Sequence, residues 1–450
     1  MKDLRGKRIS VLGAVRSGIG AAKLAKKIGA IPFVSDIAPE EKLKDVLYVL
    51  KQENIEYETG GHSGRVYNAD FIVTSPGVPS DSTVLQLAKE KNVEVVSEIE
   101  FASWFCKGSI IAITGTNGKT TTTTLCAHVL NSSGKTCYTA GNIGKAFSEI
   151  VLDVGEDEFV ALEVSSFQLD FIKDFKPAVS VLLNITPDHL NRYNDDFSLY
   201  IKSKMRIFKN QTNNDYLIYN FDDEIVKRIV AESKTELIPF SIKENPGLGV
   251  FLDKNKIVYS NGENLEEICD VADLSLKGEH NLMNSMAVVG IAKIYGIENE
   301  LIKKALGTFE GVEHRLELVR ELNGVKYIND SKATNIDSVW YALRSFDSDI
   351  YLILGGLDKG NDYNKIKELV EERVKKIYAI GSSAEKIYNF FKEIVPVEIV
   401  NTFDECLDKA KTEATAGSVV LLSPACASFD MFRNYEERGK IFKEAVNKLK

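Results

Sequence analysis

At 450 residues the chain is longer than one hydrophobic core usually supports, so two to four domains are expected. With 44% apolar and 27% charged residues its make-up is ordinary for a globular protein, and a net charge of −9 argues against a general nucleic-acid or membrane-surface binder, which needs a basic face. Six scattered cysteines without a C-x-x-C pair exclude a zinc-finger framework and fit reduced thiols, and no apolar run approaches the roughly 18 residues of a membrane span.

The N-terminus Met1-Lys2-Asp3-Leu4-Arg5 lacks the apolar stretch of a secretory signal, which leaves a soluble, cytoplasmic protein as the expectation. Residues 8–12 read as a short buried strand. Gly13 to Gly20 follow, with a helix from about Ser17 to Ile28 and a second strand from Ile31 to Ser35 that ends at Asp36. This βαβ unit carries an acid where Rossmann-type folds meet a ribose or base. Val15 breaks the G-x-G-x-x-G pattern, so nucleotide binding and a plain strand-to-helix turn both remain open. Asp70 to Thr74 gives another strand, ending in Ser75-Pro76-Gly77-Val78-Pro79 at the carboxyl edge of the sheet, where open α/β sheets bind ligands. Val93 to Val96 gives a last strand before Ser97 to Trp104 leads onward.

Ser109 to Ile113 reads as a buried parallel strand running into Gly115-Thr116-Asn117-Gly118-Lys119-Thr120-Thr121, and the following helix reaches Leu130. Gly115 and Gly118 allow successive N–H groups to face one concavity, and the helix start adds positive potential there. Lys119 would reach terminal phosphates and the Thr120 hydroxyl would suit magnesium. The full P-loop pattern wants a glycine where Ile113 stands, so the match is partial and a helix-capping loop is the plain alternative. Further apolar strands stop at Gly141-Asn142-Ile143-Gly144, at Glu163-Val164-Ser165-Ser166 and, after Asn184, at Asp188-His189. That repetition gathers Lys119, Thr120, Asn142, Glu163 and His189 at one sheet edge. Singly, Glu163 reads as a solvated strand end and His189 as a loop histidine; with a phosphate loop they point to metal and phosphate chemistry.

Phe197 to Asn210 is a basic amphipathic helix with Lys202, Lys204, Arg206 and Lys209, whose default reading is a solvated charged face. A β-rich region from about Leu237 to Leu276 follows, and the helix opened by Gly278 carries Asn281 and Asn284 on one face, unless they only cap it. The third segment holds His314-Arg315 and four strands alternating with helices. These end at Asn329-Asp330-Ser331-Lys332-Ala333-Thr334-Asn335, at Gly355 to Gly360, at Gly381, and at Ser423-Pro424-Ala425-Cys426-Ala427-Ser428-Phe429. The fold class is therefore α/β in three domains. The expected boundaries are 1–106, Rossmann-like; 107–310, a P-loop-type parallel or mixed sheet; and 311–450, again Rossmann-like.

In their order these motifs resemble the Mur ligases, the ATP-dependent amide-forming enzymes of peptidoglycan synthesis, over essentially the whole chain. The stretches Asp330–Asn335 and Ser423–Asp430 look like those of the D-glutamate-adding members. The resemblance implies UDP-N-acetylmuramoyl-L-alanine as acceptor, with Asp36 and Ile37 near the uracil and Ser17 and the Ser75-Pro76-Gly77 turn near the diphosphate. Asn142 and His189 would face the muramoyl-alanine part, with Ser165 a further substrate contact. ATP would use Gly115 to Thr121, Asn281, Asn284, Arg315, Asp330 and Lys332, lying between the second and third domains, whose closure should gate turnover. D-glutamate would meet Thr334, Lys359, Ser428, Phe429 and Tyr435.

The resemblance also implies two magnesium ions, one on Thr120 and Glu163, the other on His189 and a carbamate formed on Lys204. Such a carbamate needs a neutral amine, hence a lysine whose pKa is lowered by burial or by neighbouring cations, and Lys202 and Arg206 supply charges nearby in sequence. Lys119, Glu163, His189, Lys204, Arg315 and Lys332 would carry the chemistry. Neither nucleic acid nor a membrane is an expected partner, and the chain is expected to act as a monomer. Rival readings are a related ligase using another amino acid, such as L-alanine, or a folate polyglutamate enzyme. A nicotinamide-dependent dehydrogenase and a non-catalytic nucleotide-binding module come from other classes.

Overall fold

The computed structural model describes residues 2–358 and 360–450. They fall into two compact units, one running up to Ser275 and adding Asn281–Phe309, the other made of Leu276–His280 and Glu310–Lys450.

In the first unit the strands β1 (Arg8–Leu12), β2 (Ile31–Ser35), β3 (Glu56–Glu58), β4 (Phe71–Thr74) and β5 (Glu94–Ser97) form an all-parallel sheet in the order β3-β2-β1-β4-β5. The order reverses at β1, so the crevice above its carboxyl end is the natural ligand position. A nine-stranded sheet follows: β6 (Ser109–Thr114), β7 (Cys137–Gly141), β8 (Phe159–Glu163), β9 (Val179–Leu182), β10 (Tyr216–Asn220), β11 (Glu236–Ser241), β12 (Gly249–Asp253), β13 (Lys256–Ser260) and β14 (Leu265–Asp270). Its order is β14-β13-β12-β11-β10-β9-β6-β8-β7, parallel except for the antiparallel hairpins joining β12, β13 and β14.

One core, from Val11 and Val34 through Phe101 and Phe147 to Val160 and Leu217, serves both sheets. A buried carboxylate reinforces the junction. Glu100, in the helix Glu98–Ser103, accepts N–H groups from Lys173, Asp174 and Phe175 and the indole of Trp104 at 2.7–3.1 Å. Hydrogen bonds to a charged group contribute about 1.5–3 kcal/mol each, so this side chain ties the two sheets together as well as filling space.

The second unit has six strands: β15 (Glu317–Leu322), β16 (Val325–Asn329), β17 (Ile350–Leu354), β18 (Val374–Ile380), β19 (Val397–Val400) and β20 (Val419–Leu422). Their order is β15-β16-β20-β17-β18-β19, with only the β15–β16 pair antiparallel. Separate cores cover the sheet, one around Leu352, Ile377 and Leu421, the other around Ile353, Tyr378 and Phe442. That alternation of inward positions is the mark of a sheet with helices on both faces. Among the described residues no helix is long and apolar enough to cross a membrane.

Candidate active site

β6 ends at Thr114 and the helix Lys119–Ser132 starts five residues later, so 115–118 form a tight loop. Gly118 has φ +85°, and a Cβ there would lie 2.4 Å from Asn284 Oδ1, so only glycine fits. The loop is fixed from the end of β9. Asn117 N–H donates to Asn184 Oδ1 at 2.8 Å, Asn184 Nδ2 donates back to Asn117 O at 3.1 Å, and Thr116 exchanges hydrogen bonds with Thr186 at 3.0 Å. Lys119 Nζ folds onto the loop's own carbonyls, Gly115 O at 3.0 Å and Thr116 O at 2.7 Å. Thr120 and Thr121 are buried in the first helical turn.

Because β7, β8, β6 and β9 are neighbours and parallel, their carboxyl ends meet here. Glu163, the last residue of β8, is buried, and its Oε1 accepts Asn142 Nδ2 at 2.9 Å. His189 stands in the left-handed region at φ +54°, with its side chain 40% exposed and its ring edge-on to Phe167 at 5.2 Å. Lys204, in the helix Phe197–Met205, is only 1% exposed and donates to Gly115 O at 2.8 Å, its amine 4.7 Å from the centre of the Tyr200 ring. Burial holds this amine well below the usual lysine range; Lys119 pushes the same way and Asp188 and Glu163 oppose it.

At the first sheet both Asp36 oxygens are taken by backbone, Oδ2 by Ala14 N–H at 2.6 Å and Oδ1 by Ala38 N–H at 2.7 Å, while Ile37 beside it is 73% exposed. Ser17 is half-buried near the start of the helix Arg16–Lys27. Gly77 is exposed between Pro76 and Val78, whose carbonyls both accept Arg192 Nη2, at 3.2 and 3.1 Å. Ser165 closes a capping box with Gln168 at the helix Ser166–Leu169, which occupies its hydroxyl. Asn281 and Asn284 are buried, and Asn284 accepts Thr122 Oγ1 at 3.1 Å.

In the second unit Asp330 is buried and accepts Ser423 Oγ at 2.9 Å; burial raises its pKa to about 6 against the pull of Arg315. Arg315 Nε is buried with no hydrogen-bond partner among the described residues. Lys332 Nζ lies 5.2 Å from the ring centre of Tyr435, the first residue of the helix Tyr435–Lys448. Ser428 is buried, Phe429 beside it is 66% exposed, and Thr334 is half-buried. Lys359 lies outside the described residues.

Known proteins show the family to which this chain belongs. Family models described as Mur ligase middle domain, as Mur ligase, glutamate ligase domain, and as MurD N-terminal domain match residues 113–292, 314–426 and 22–84. The chain is 44% identical over 458 residues to the UDP-N-acetylmuramoylalanine–D-glutamate ligase of Salinibacter ruber, covering 99% of both chains. The chain belongs to the Mur ligase family. It is also 43% identical to the ligase of the same name from Chloroherpeton thalassium, over all of this chain and 99% of that one. In fold this Mur ligase is similar to the solved UDP-N-acetylmuramate-alanine ligase MurC of Thermotoga maritima, with a TM-score of 0.64 at 20% identity over 98% of this chain and 99% of that one.

Two expectations need correcting. The basic helix of this ligase is not a solvated face throughout: Lys202 and Lys209 are exposed, but Lys204 points inward. Of the two causes expected to lower the Lys204 pKa, burial is the larger, but the cation beside it is Lys119 rather than Lys202 or Arg206, whose guanidinium is spent on the carbonyls of Leu169 and Ile172.

Several residues passed over in the sequence hold these loops within their own units. Arg438 is buried and joins Ser331 to the Cys426 carbonyl at 2.7–3.0 Å. Arg192 pins the turn after β4 while its guanidinium lies 4.5 Å from the ring centre of Phe167. Asn184 could have been found as a polar residue ending an apolar strand; the arginines left no local signal. Among the described residues no group of three or more His, Cys, Asp or Glu could hold a metal.

Proposed function

We propose that this Mur ligase joins D-glutamate to the alanine carboxyl of UDP-N-acetylmuramoyl-L-alanine, converting ATP to ADP and phosphate, as a cytoplasmic step of peptidoglycan precursor synthesis. The likeness over full length to ligases named for that reaction supports it. The observation that carries the chemistry is the sharing of one sheet edge by the phosphate loop, the Glu163 carboxylate and the buried Lys204 amine.

A carboxylate is a poor electrophile. Its oxygen first attacks the γ-phosphorus of ATP, ADP leaves, and the acyl phosphate carries a good leaving group. The amine of D-glutamate then attacks the carbonyl carbon, and the tetrahedral intermediate expels phosphate and loses a proton from nitrogen to give the amide. Loop N–H groups from Gly115 to Thr121 and the Lys119 ammonium hold the phosphates, and Arg315 neutralises charge on the transferring group. Asn281, Asn284, Asp330 and Lys332 complete the ATP contacts.

Asn142, Ser165 and His189 orient the acceptor, and Ser17, Asp36, Ile37 and the turn at Ser75, Pro76 and Gly77 take its nucleotide. Thr334, Lys359, Ser428, Phe429 and Tyr435 bind D-glutamate.

The donor set fits magnesium, since Thr120 and Glu163 offer the hard oxygens that ion takes. A second ion would use His189 and a carbamate on Lys204, formed when the neutral amine adds to carbon dioxide and loses a proton. Magnesium, when bound, neutralises the anions that both steps bring together. In this reading the chain works as a monomer, with segments 1–106, 107–310 and 311–450 serving acceptor, phosphate chemistry and amino acid.

Phosphate release with UDP-N-acetylmuramoyl-L-alanine and a panel of D- and L-amino acids tests the proposal. Turnover is expected with D-glutamate, and dependence on any other amino acid would overturn it.

A further inference from the structure

Behind Asp36 lies a hydrogen-bond chain with a defined direction. Ser35 Oγ donates to Glu58 Oε1 at 2.7 Å and lies 2.7 Å from His62 Nδ1. A hydroxyl has one proton, and here Glu58 receives it. Burial works against the charge on Glu58, but the hydrogen bonds from Ser63 and Ser35 outweigh it, so the group is held below the usual carboxylate range and only accepts. His62 Nδ1 must therefore be the protonated nitrogen, donating to Ser35 Oγ. Burial also lowers the pKa of His62, which keeps the ring neutral, so Nε2 presents a bare lone pair. Among the described residues Nε2 has no hydrogen-bond partner.

The chain backbone brings the loop that holds His62 against the turn after β2. Gly61 N–H donates to Asp36 O at 3.3 Å and Gly60 N–H to Ala38 O at 2.9 Å, zipping the loop after β3 onto the turn after β2. That turn is tied in its place by Ala14 N–H on Asp36, directly after β1. Gly60 at φ +75° allows the reversal. His62 and the exposed Ile37 thus belong to two loops that meet at the carboxyl end of β2, where a βαβ unit meets the nucleoside.

We propose that His62 selects the base of the acceptor nucleotide, with Nε2 accepting the imide N–H of a uracil-type ring. The inference rests on the reading that the first sheet binds the UDP portion. Cytosine offers a lone pair at the corresponding ring nitrogen, so two acceptors would face each other and binding would weaken by about 10- to 100-fold.

The test is equilibrium binding of UDP and CDP to the full chain. Wild type is expected to prefer UDP by that factor. His62→Gln, whose amide can turn either its oxygen or its NH2 group to the base, should lower the ratio in part; His62→Ala should bring it close to one and His62→Lys, a donor only, to one or below, while leaving affinity for ATP unchanged. Ser35→Ala, which frees the tautomer, should lower the ratio in part. An unchanged ratio in His62→Lys overturns the proposal alone, whereas failure of wild type to bind UDP overturns it together with the reading beneath it.

Discussion

Gly118→Ala probes how tightly the phosphate loop is built. At φ +85° an L-residue costs about 1–2 kcal/mol. The new methyl would also stand 2.4 Å from Asn284 Oδ1 and 3.2 Å from Leu183 Cδ1. Asn284 is buried and accepts Thr122 Oγ1, so pushing it aside breaks a buried hydrogen bond, a further loss of about 1–3 kcal/mol. Gly134→Ala is the control, because its φ is +83° but nothing lies within 4 Å of the added carbon. The conformational term is common to both variants, and the contact term of about 1–3 kcal/mol belongs to Gly118→Ala alone. Side-by-side urea unfolding should give that difference. Phosphate-release assays should show KM for ATP raised at least about tenfold in Gly118→Ala and near wild type in Gly134→Ala. Equal destabilisation with equal KM would refute the account.

Lys204→Ala should lose about 10²- to 10³-fold in kcat, the scale for losing one electrostatic stabiliser, and recover in part with a short carboxylic acid; undiminished turnover would end the carbamate proposal. Asn184→Ala removes both side-chain bonds to Asn117 and should raise KM for ATP roughly tenfold with little change in KM for the acceptor, measured by initial rates. Glu98 is buried against Ser148, and burial raises its pKa from 4.5 to about 7, so the folded state binds the extra proton between those values. Stability from this group is present below about pH 4.5 and lost as pH rises through 7. Glu98→Gln should therefore flatten that fall and exceed wild type at pH 8, by about 2–3 kcal/mol at most, in unfolding curves taken across pH.

What could be read in the sequence was whatever the chain writes locally. β1, β2, β17 and β20 are short apolar runs that stop at glycine or polar residues, and each forms where the pattern puts it. The charged edge strands β15, with its alternating Glu317 to Leu322, and β19, Val-Glu-Ile-Val, are paired on one side only, so neither carries a continuous apolar run. The helix holding Lys204 misled because its fate is set by a carbonyl 89 residues earlier. Arg438 likewise meets Ser331 across 107 residues, a relation no spacing announces. His62 became interpretable only once Ser35 and Glu58 gave the hydrogen bonds a direction.

The crowding at Gly115 O yields a last expectation. That oxygen accepts from Lys119 Nζ at 3.0 Å and Lys204 Nζ at 2.8 Å, so two amines face each other across one acceptor. Burial is the larger penalty on the Lys204 ammonium, and like charges a few ångströms apart add repulsion of a few kcal/mol even at an effective dielectric of about 20. The Lys204 amine is thus pressed toward its neutral, nucleophilic form by burial and by Lys119. Carbamylation would reverse the sign at position 204, and the same Lys119 charge would then attract. Lys119→Met should therefore act twice against the carbamate, by easing the amine back toward protonation and by withdrawing the cation that stabilises the product. Carbon NMR with isotopically labelled bicarbonate should find the carbamate signal reduced in Lys119→Met and absent in Lys204→Ala. A signal in Lys119→Met as strong as in wild type would mean that burial alone governs Lys204.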